Sequence, residues 1–165
     1  MGKNKLKKFA EMREFKCVLQ YPREELIKNG FPYRGSWNES VFGHVAPIVV
    51  ELGCGKGEYT VGLAKSDETR NYIGVDIKGA RMWSGARTVE EEEIGNAAFL
   101  RAEIENIDKF FVPGEVDELW ITFPDPQMQK TRKRLTSTRF LNLYRNILRD
   151  GGIVNLKTDS PFLYE

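Results

Sequence analysis

Short β-branched runs alternate with helical patterns over residues 47–157, and this alternation constrains the fold more than any other feature of the sequence. Apolar runs of this length predict strands, and apolar residues repeated at the helical period predict helices between them. Such an order favours right-handed βαβ units, which build one parallel sheet with helices on both faces. The 165-residue chain is therefore predicted to form one α/β domain. The predicted strands are 47–51, 72–76, 98–102, 116–123 and 153–157, and the helices are 58–65, 79–93 and 138–148.

A glycine-rich turn follows the first predicted strand and leads directly into the first predicted helix. In open parallel sheets, ligands bind at the carboxyl ends of the strands, so this turn is a candidate binding loop. A nicotinamide-dinucleotide loop that began with Gly53 and Gly55 would carry a third glycine at position 58, where this chain has Glu58. A carboxylate is unfavourable beside a pyrophosphate, so a dinucleotide is disfavoured. S-adenosylmethionine fits better, because it has no phosphate and carries a sulfonium and an ammonium group.

Acidic residues stand at the ends of three consecutive predicted strands. Glu51 directly precedes the glycine turn and is placed to serve the amino-acid end of this cofactor. Asp76 is placed to accept both ribose hydroxyls, and Glu103 is placed to meet the adenine amino group. A single carboxylate at a strand end is usually a solvated group or a helix cap. Three of them beside a glycine loop predict a methyl-donor site made by Glu51, Gly53, Gly55, Asp76 and Glu103.

An aspartate held between two prolines ends the fourth predicted strand. Pro124 and Pro126 restrict their own φ angles and those of the residues before them, so Asp125 is presented rigidly at the carboxyl edge. A surface turn is the simpler explanation of Pro-Asp-Pro. Its position after a strand of this predicted sheet favours a place in the active site instead.

The segment that follows is strongly basic, although the whole chain has 25 basic and 24 acidic side chains. Residues 126–149 contain no acid and seven positive charges. A basic run of this kind is either a solvated face or a local phosphate-binding patch. The seven residues are Lys130, Arg132, Lys133, Arg134, Arg139, Arg145 and Arg149.

These motifs together resemble the bacterial tRNA (guanine-N7)-methyltransferase family, over roughly residues 33–165. The glycine loop is common to many methyltransferases, whereas the later segments are more specific to this family. The matching segments read PIVVELGCGKG at 47–57, GVD at 74–76, FPDP at 123–126, KTRKRL at 130–135 and KTD at 157–159.

The resemblance implies a Rossmann-like class I S-adenosylmethionine-dependent methyltransferase fold and an enzyme that forms 7-methylguanine in the variable loop of tRNA. The family usually has a lysine four positions beyond the aspartate, where this chain has Gln129, so the RNA-contacting role falls to Gln129 or, preferably, Lys130. The roles implied for this chain are cofactor contacts at Glu51, Asp76, Glu103 and Asp125, catalysis at Asp125, and substrate binding at Lys130, Arg132 and Asp159.

The N-terminal residues are predicted to be a basic extension, partly mobile, over residues 1–32, with the core at 33–165. Residues 1–16 contain six basic and two acidic side chains, which is typical of a solvated tail or of a tail that contacts RNA phosphate. Folds of the resembled family continue beyond the fifth strand, so the core is expected to be truncated and to lack part of the guanine site. The sequence defines neither whether the chain is active at this length nor its oligomeric state.

No apolar run suited to a signal peptide or a membrane span is found, so a cytoplasmic location and no membrane partner are expected. Cys17 and Cys54 form no metal-binding pattern, and no metal is predicted. The single histidine, His44, is interpreted as a structural or capping residue. Tryptophans such as Trp37 and Trp83 more often pack in a core than stack on bases, and these two are left without an assigned role.

Two other functions remain open at this stage. One is a different class I methyltransferase that acts on another RNA, a protein or a small molecule. The other is a non-catalytic RNA-binding partner that keeps the fold.

Overall fold

The computed structural model describes residues 2–122 and 134–158 of the chain. Six strands form one sheet, and every neighbouring pair runs parallel. Their order across the sheet is β1-β4-β3-β2-β5-β6. The strands are β1 (Val18–Gln20), β2 (Ile48–Leu52), β3 (Asn71–Asp76), β4 (Ala97–Arg101), β5 (Val116–Thr122) and β6 (Leu148–Lys157).

Helices cover both faces of this sheet. Alternate residues of β2 belong to different hydrophobic clusters: Val50 packs in one together with Phe140, and Val49 packs in the other together with Met82. The prediction of a parallel α/β fold is therefore confirmed. The α-helices are α1 (Gly2–Glu14), α2 (Arg23–Asn29), α3 (Glu58–Ser66), α4 (Gly79–Glu91) and α5 (Thr138–Ile147), with a π-helical turn at Asn38–Phe42 and a 3-10 helix at Ile104–Lys109. In the described ranges, no helix combines the length and the apolar character that crossing a bilayer requires.

The central strand β2 lies at the point where the chain reverses its direction across the sheet. From β2 the chain moves outward to β3 and β4, and it then returns to place β5 on the opposite side of β2. Parallel sheets bind ligands at the carboxyl ends of the strands beside such a point. The ends of β2, β3 and β5 are therefore where the fold positions a site.

The last strand begins earlier than the sequence predicts. The helix was predicted to end at residue 148 and the strand to begin at residue 153, but α5 ends at Ile147 and β6 begins at Leu148. Val116 pairs with Leu148 and Glu118 with Ile153, so β6 contains an irregularity that takes up the extra residues. Gly151 has a φ of 78° there, which lets the chain bulge without leaving the sheet.

The structure also differs from the prediction for residues 1–32. The strand β1 is the edge strand of the sheet and pairs with β4, so this segment belongs to the fold. On α1, Met12 is fully buried, and Glu11 accepts a hydrogen bond of 2.6 Å from Trp83 Nε1 on α4. Local signals are weak here because β1 has only three residues and most of α1 is polar.

Candidate functional site

The glycine turn bends sharply over the end of the neighbouring strand β3. Gly53, Gly55 and Gly57 have φ angles of 76°, 56° and 80°, a region that other residues rarely adopt. The backbone N–H of Gly53 donates to the carbonyl of Val75 at 2.7 Å. The N–H of Cys54 donates to the same carbonyl and the N–H of Gly55 donates to Asp76 Oδ2, both at 2.9 Å, so three hydrogen bonds hold the turn against β3.

Helix α4 lies unusually close to this turn. A Cβ added at Gly85 would lie 2.7 Å from the carbonyl oxygen of Lys56, and one added at Gly57 would lie 2.6 Å from the ring of Phe99. The N–H of Gly85 donates to Lys56 O at 2.9 Å. Sequence reasoning missed Gly85, although a glycine inside a helical pattern usually indicates close packing.

Glu51 is the buried acid of the site. Its side chain is on β2, it is 4% exposed, and it faces α3. Thr60 Oγ1 donates to its Oε1 at 2.6 Å, and Thr122 Oγ1 donates to its Oε2. Burial raises the pKa of the Glu51 carboxyl above its usual range, while the hydroxyl bonds from Thr122 and Thr60 act in the opposite direction.

Asp76 stands one strand away, at the end of β3, and is half-buried. Its Oδ1 accepts the N–H of Lys78 at 2.9 Å, and its Oδ2 accepts the N–H of Gly55. Each carboxylate oxygen has a second lone pair, so Asp76 can hold the turn and still accept a hydrogen bond from a ligand.

Two clefts follow the strand ends on either side of Asp76. The first has a volume of about 340 Å³ and is lined by Glu51, the glycine turn, Tyr59, Arg81 and Thr122. The second, of about 320 Å³, begins at Ile77 and continues past the end of β4 to Ala102, Glu103 and Phe110. A larger cleft of about 510 Å³ lies between α1 and α4 around Trp83, away from these strand ends.

The structure thus brings most of the described candidate residues to one sheet edge. The glycine turn itself contains Gly53 and Gly55, and the carboxylates of Glu51 and Asp76 lie beside it. Glu103 is exposed in the second cleft, where it precedes the 3-10 helix and makes no capping hydrogen bond with it. Glu58, which disfavoured a dinucleotide, is exposed at the start of α3 beside the first cleft. Asp125, Lys130, Arg132 and Asp159 lie outside the described residues.

Of the two tryptophans, Trp37 packs in the hydrophobic core. Trp37 is fully buried, stacks on Phe111 and donates from Nε1 to the carbonyl of Phe110 at 2.8 Å. Both cysteines are free, and burial raises the pKa of each thiol. Across residues 2–122 and 134–158, no group of three or more His, Cys, Asp or Glu residues is arranged to hold a metal ion.

Comparisons with known proteins agree with this geometry. A family model described as "Putative methyltransferase" matches residues 45–165. The chain is 58% identical to the tRNA (guanine-N(7)-)-methyltransferase of Porphyromonas gingivalis over 93% of this chain and 64% of that protein. It is 53% identical to the protein of the same name from Christiangramia forsetii over 99% of this chain and 74% of that protein.

The chain therefore spans about two thirds of the length of the relatives it matches, 64% in the first case. Its fold resembles that of the 30S ribosomal A1408 methyltransferase from an uncultured bacterium, with a TM-score of 0.57 and 22% identity over 82% of this chain and 60% of that one. The match to the family model and the identity to these relatives show that this chain belongs to the tRNA (guanine-N(7)-)-methyltransferase family.

Proposed function

We propose that this chain binds S-adenosylmethionine and takes part in transferring its methyl group to N7 of a guanine in the variable loop of tRNA, in the cytoplasm. The observation that carries the proposal is the 58% and 53% identity to relatives that bear the name of this activity, over nearly all of the chain.

The described residues fit the proposed cofactor. S-adenosylmethionine supplies a methyl group bound to a positively charged sulfur. Glu51 faces the first cleft, where a carboxylate suits the ammonium group of the amino-acid end. Asp76, between the two clefts, suits the ribose hydroxyls, and Glu103 suits the adenine amino group. A Cβ at Gly53 would meet no atom within 4 Å, so the bare backbone of the turn borders open space that a ligand can fill.

In the proposed reaction, the main task of the protein is to align guanine N7 with the methyl group of the donor. Guanine N7 has a free lone pair and carries no proton, so this chain needs no general base at that atom. Holding the acceptor in line with the donor can supply several kcal/mol of the barrier. We assign this task to Asp125, which would bind the N1–H and amino edge of the guanine and offset the positive charge that develops on the purine. Lys130 and Arg132 would contact RNA phosphates, and Asp159 would bind the substrate.

The proposal is tested in the host cell and in solution. Disrupting the gene that encodes this chain should remove 7-methylguanine from the variable loop of tRNA, as measured by nucleoside analysis and mapping. Restoring the gene should return the modification, whereas the same gene with Asp125→Ala should not. Unchanged 7-methylguanine after disruption, or full restoration by Asp125→Ala, would contradict the proposal.

Calorimetric titration separates the proposal from its alternatives. A non-catalytic RNA-binding partner should give no heat with S-adenosylmethionine, whereas the proposed enzyme should bind it. Loss of a different methylated nucleoside on gene disruption would identify another class I methyltransferase.

A further inference from the structure

Two threonine hydroxyls donate hydrogen bonds to the buried acid Glu51, one to each carboxylate oxygen. Thr60 reaches Oε1 from the first turn of α3, and Thr122 reaches Oε2 from the end of β5. Thr60 is 1% exposed and Thr122 is 8% exposed, so both hydrogen bonds are shielded from water. The carboxylate is therefore held in one orientation by two different elements of the fold.

In the part of the chain that the structure describes, no cation forms an ion pair within 4 Å with this carboxylate. Asp76 is also close enough to oppose its ionisation. A buried charge is costly unless it is paired, and two neutral donors offset only part of that cost. Because Glu51 lines an open cleft, a ligand that carries a cation can complete the pairing.

We propose that Thr60 and Thr122 are positioning residues, which orient Glu51 so that its free lone pairs receive the ammonium group of the methyl donor. This inference rests on the proposed function. Each hydroxyl uses one lone pair of one carboxylate oxygen, and a second lone pair on each oxygen stays available to the ligand. Their hydroxyl bonds also favour the ionised form of Glu51, which is the form that attracts a cation.

Two ligands distinguish the loss of the ammonium contact from a general weakening of ligand binding. S-adenosylhomocysteine contains the amino-acid end, whereas 5′-methylthioadenosine shares the adenosine and the thioether sulfur but lacks that end. Calorimetry should measure both ligands on Thr122→Val and on Thr60→Val. S-adenosylhomocysteine should bind each variant about tenfold more weakly, because a hydrogen bond to a charged group is lost. The affinity for 5′-methylthioadenosine should stay within about twofold of wild type.

Matched variants control for packing. Thr122→Ser and Thr60→Ser keep the hydroxyl and should restore binding of S-adenosylhomocysteine. Thr88→Val makes the same replacement on α4, where the hydroxyl donates to the carbonyl of Ser84, and should leave both affinities unchanged. Equal weakening of both ligands by the valine variants, or unchanged binding of S-adenosylhomocysteine, would overturn the inference.

The wild-type chain gives a second readout that does not depend on the folding of any variant. Protonation of Glu51 should weaken S-adenosylhomocysteine at acidic pH but not 5′-methylthioadenosine. The proposed ribose contact of Asp76 is common to both ligands, and the Cys54 thiol, whose pKa burial raises, stays neutral in acid. Lys56, Glu58 and Arg81 line the same cleft as Glu51, so Glu51→Gln, which should remove the acid limb, separates the Glu51 carboxyl from them. Parallel acid limbs for the two ligands would overturn the inference. Failure of the wild type to bind either ligand would instead contradict the proposed function.

Discussion

The cleft at the glycine turn is lined by a buried carboxylate, whereas the cleft beyond β4 is lined by an exposed one. Glu51 is surrounded by two hydroxyl donors within the fold, and Asp76 accepts two backbone N–H groups. Glu103, in the second cleft, faces solvent. Hydrogen bonds within the fold thus fix the orientation of the acids at the first cleft before a ligand binds. In the second cleft, the side chain of Glu103 can still change its orientation when a ligand binds.

The two clefts also differ in the origin of their walls. Apart from Thr122 at the end of β5, the first is lined by residues of β2, the turn, α3 and α4, which follow one another in the chain. The second receives residues 20–23 and Leu26 from the N-terminal segment, far from β4 in the sequence. A local motif can therefore encode most of the first cleft, while the second depends more on contacts between distant parts of the chain.

The largest expected effect comes from the close contact of α4 with the glycine turn. Gly85→Ala should lower the free energy of unfolding by about 3 kcal/mol, because the added Cβ would meet the backbone oxygen of Lys56. Gly62→Ala is the matched control: the position is helical, and an added Cβ meets nothing within 4 Å. It should raise stability by up to about 1 kcal/mol. Urea unfolding measures both, and equal effects would show that the first cleft is not tightly built.

This contrast explains how much of the molecule the sequence could predict. The strands and α-helices between residues 47 and 147 were predicted within two residues of their observed ends, because strongly apolar strands and amphipathic helices carry their own periodic signals. The 3-10 helix at Ile104–Lys109 was not predicted. The strand β1 was missed because three residues show no periodicity, and its place beside β4 is decided by tertiary packing.

The candidate site divides in the same way. Glu51, Asp76 and the glycines could be found from their positions after strands, since parallel strands bring those ends together. The roles of Thr60 and Thr122 could not, because nine and 71 residues separate them from Glu51 and neither belongs to a recognisable motif. Only the packing of α3 and β5 against β2 brings their hydroxyls to the carboxylate.

The next effect tests whether Asp76 belongs to the preorganised cleft. Asp76→Ala removes the acceptor for the N–H groups of Gly55 and Lys78 as well as the proposed ribose contact. S-adenosylhomocysteine and 5′-methylthioadenosine should both bind about 30-fold more weakly, as measured by calorimetry. Asp76→Asn keeps one oxygen acceptor, so its affinity for both ligands should fall less than that of Asp76→Ala. A loss confined to S-adenosylhomocysteine would contradict the ribose assignment.

A smaller effect should appear in the pH dependence of stability. The folded-state pKa of Glu51 is raised by burial above its value in the unfolded chain. Its contribution to stability is therefore fully present below the unfolded pKa and is lost as the pH rises through the folded pKa. Glu51→Gln does not titrate, so its melting temperature in the absence of ligand should exceed that of wild type at neutral pH. The difference should shrink as the pH falls to about 4, near the ordinary carboxyl pKa.

Thermal scans of both proteins from acidic to neutral pH measure this difference, and calorimetry should show weaker S-adenosylhomocysteine binding to Glu51→Gln. Such a pair of results would show that the buried acid is kept for binding at a cost in stability. A lower melting temperature of Glu51→Gln at neutral pH would contradict this interpretation.

The smallest effect is expected in the second cleft. Glu103→Gln should weaken S-adenosylhomocysteine and 5′-methylthioadenosine by only about threefold, because an exposed carboxylate exchanges one solvent contact for one ligand contact. Glu105→Gln lies in the adjacent 3-10 helix, is also exposed, and should change neither affinity. A loss at Glu103 as large as that at Asp76 would mean that ligand binding buries this acid as deeply as the fold buries Glu51. The two clefts would then differ only before the ligand binds, and the adaptable second cleft would close around adenine.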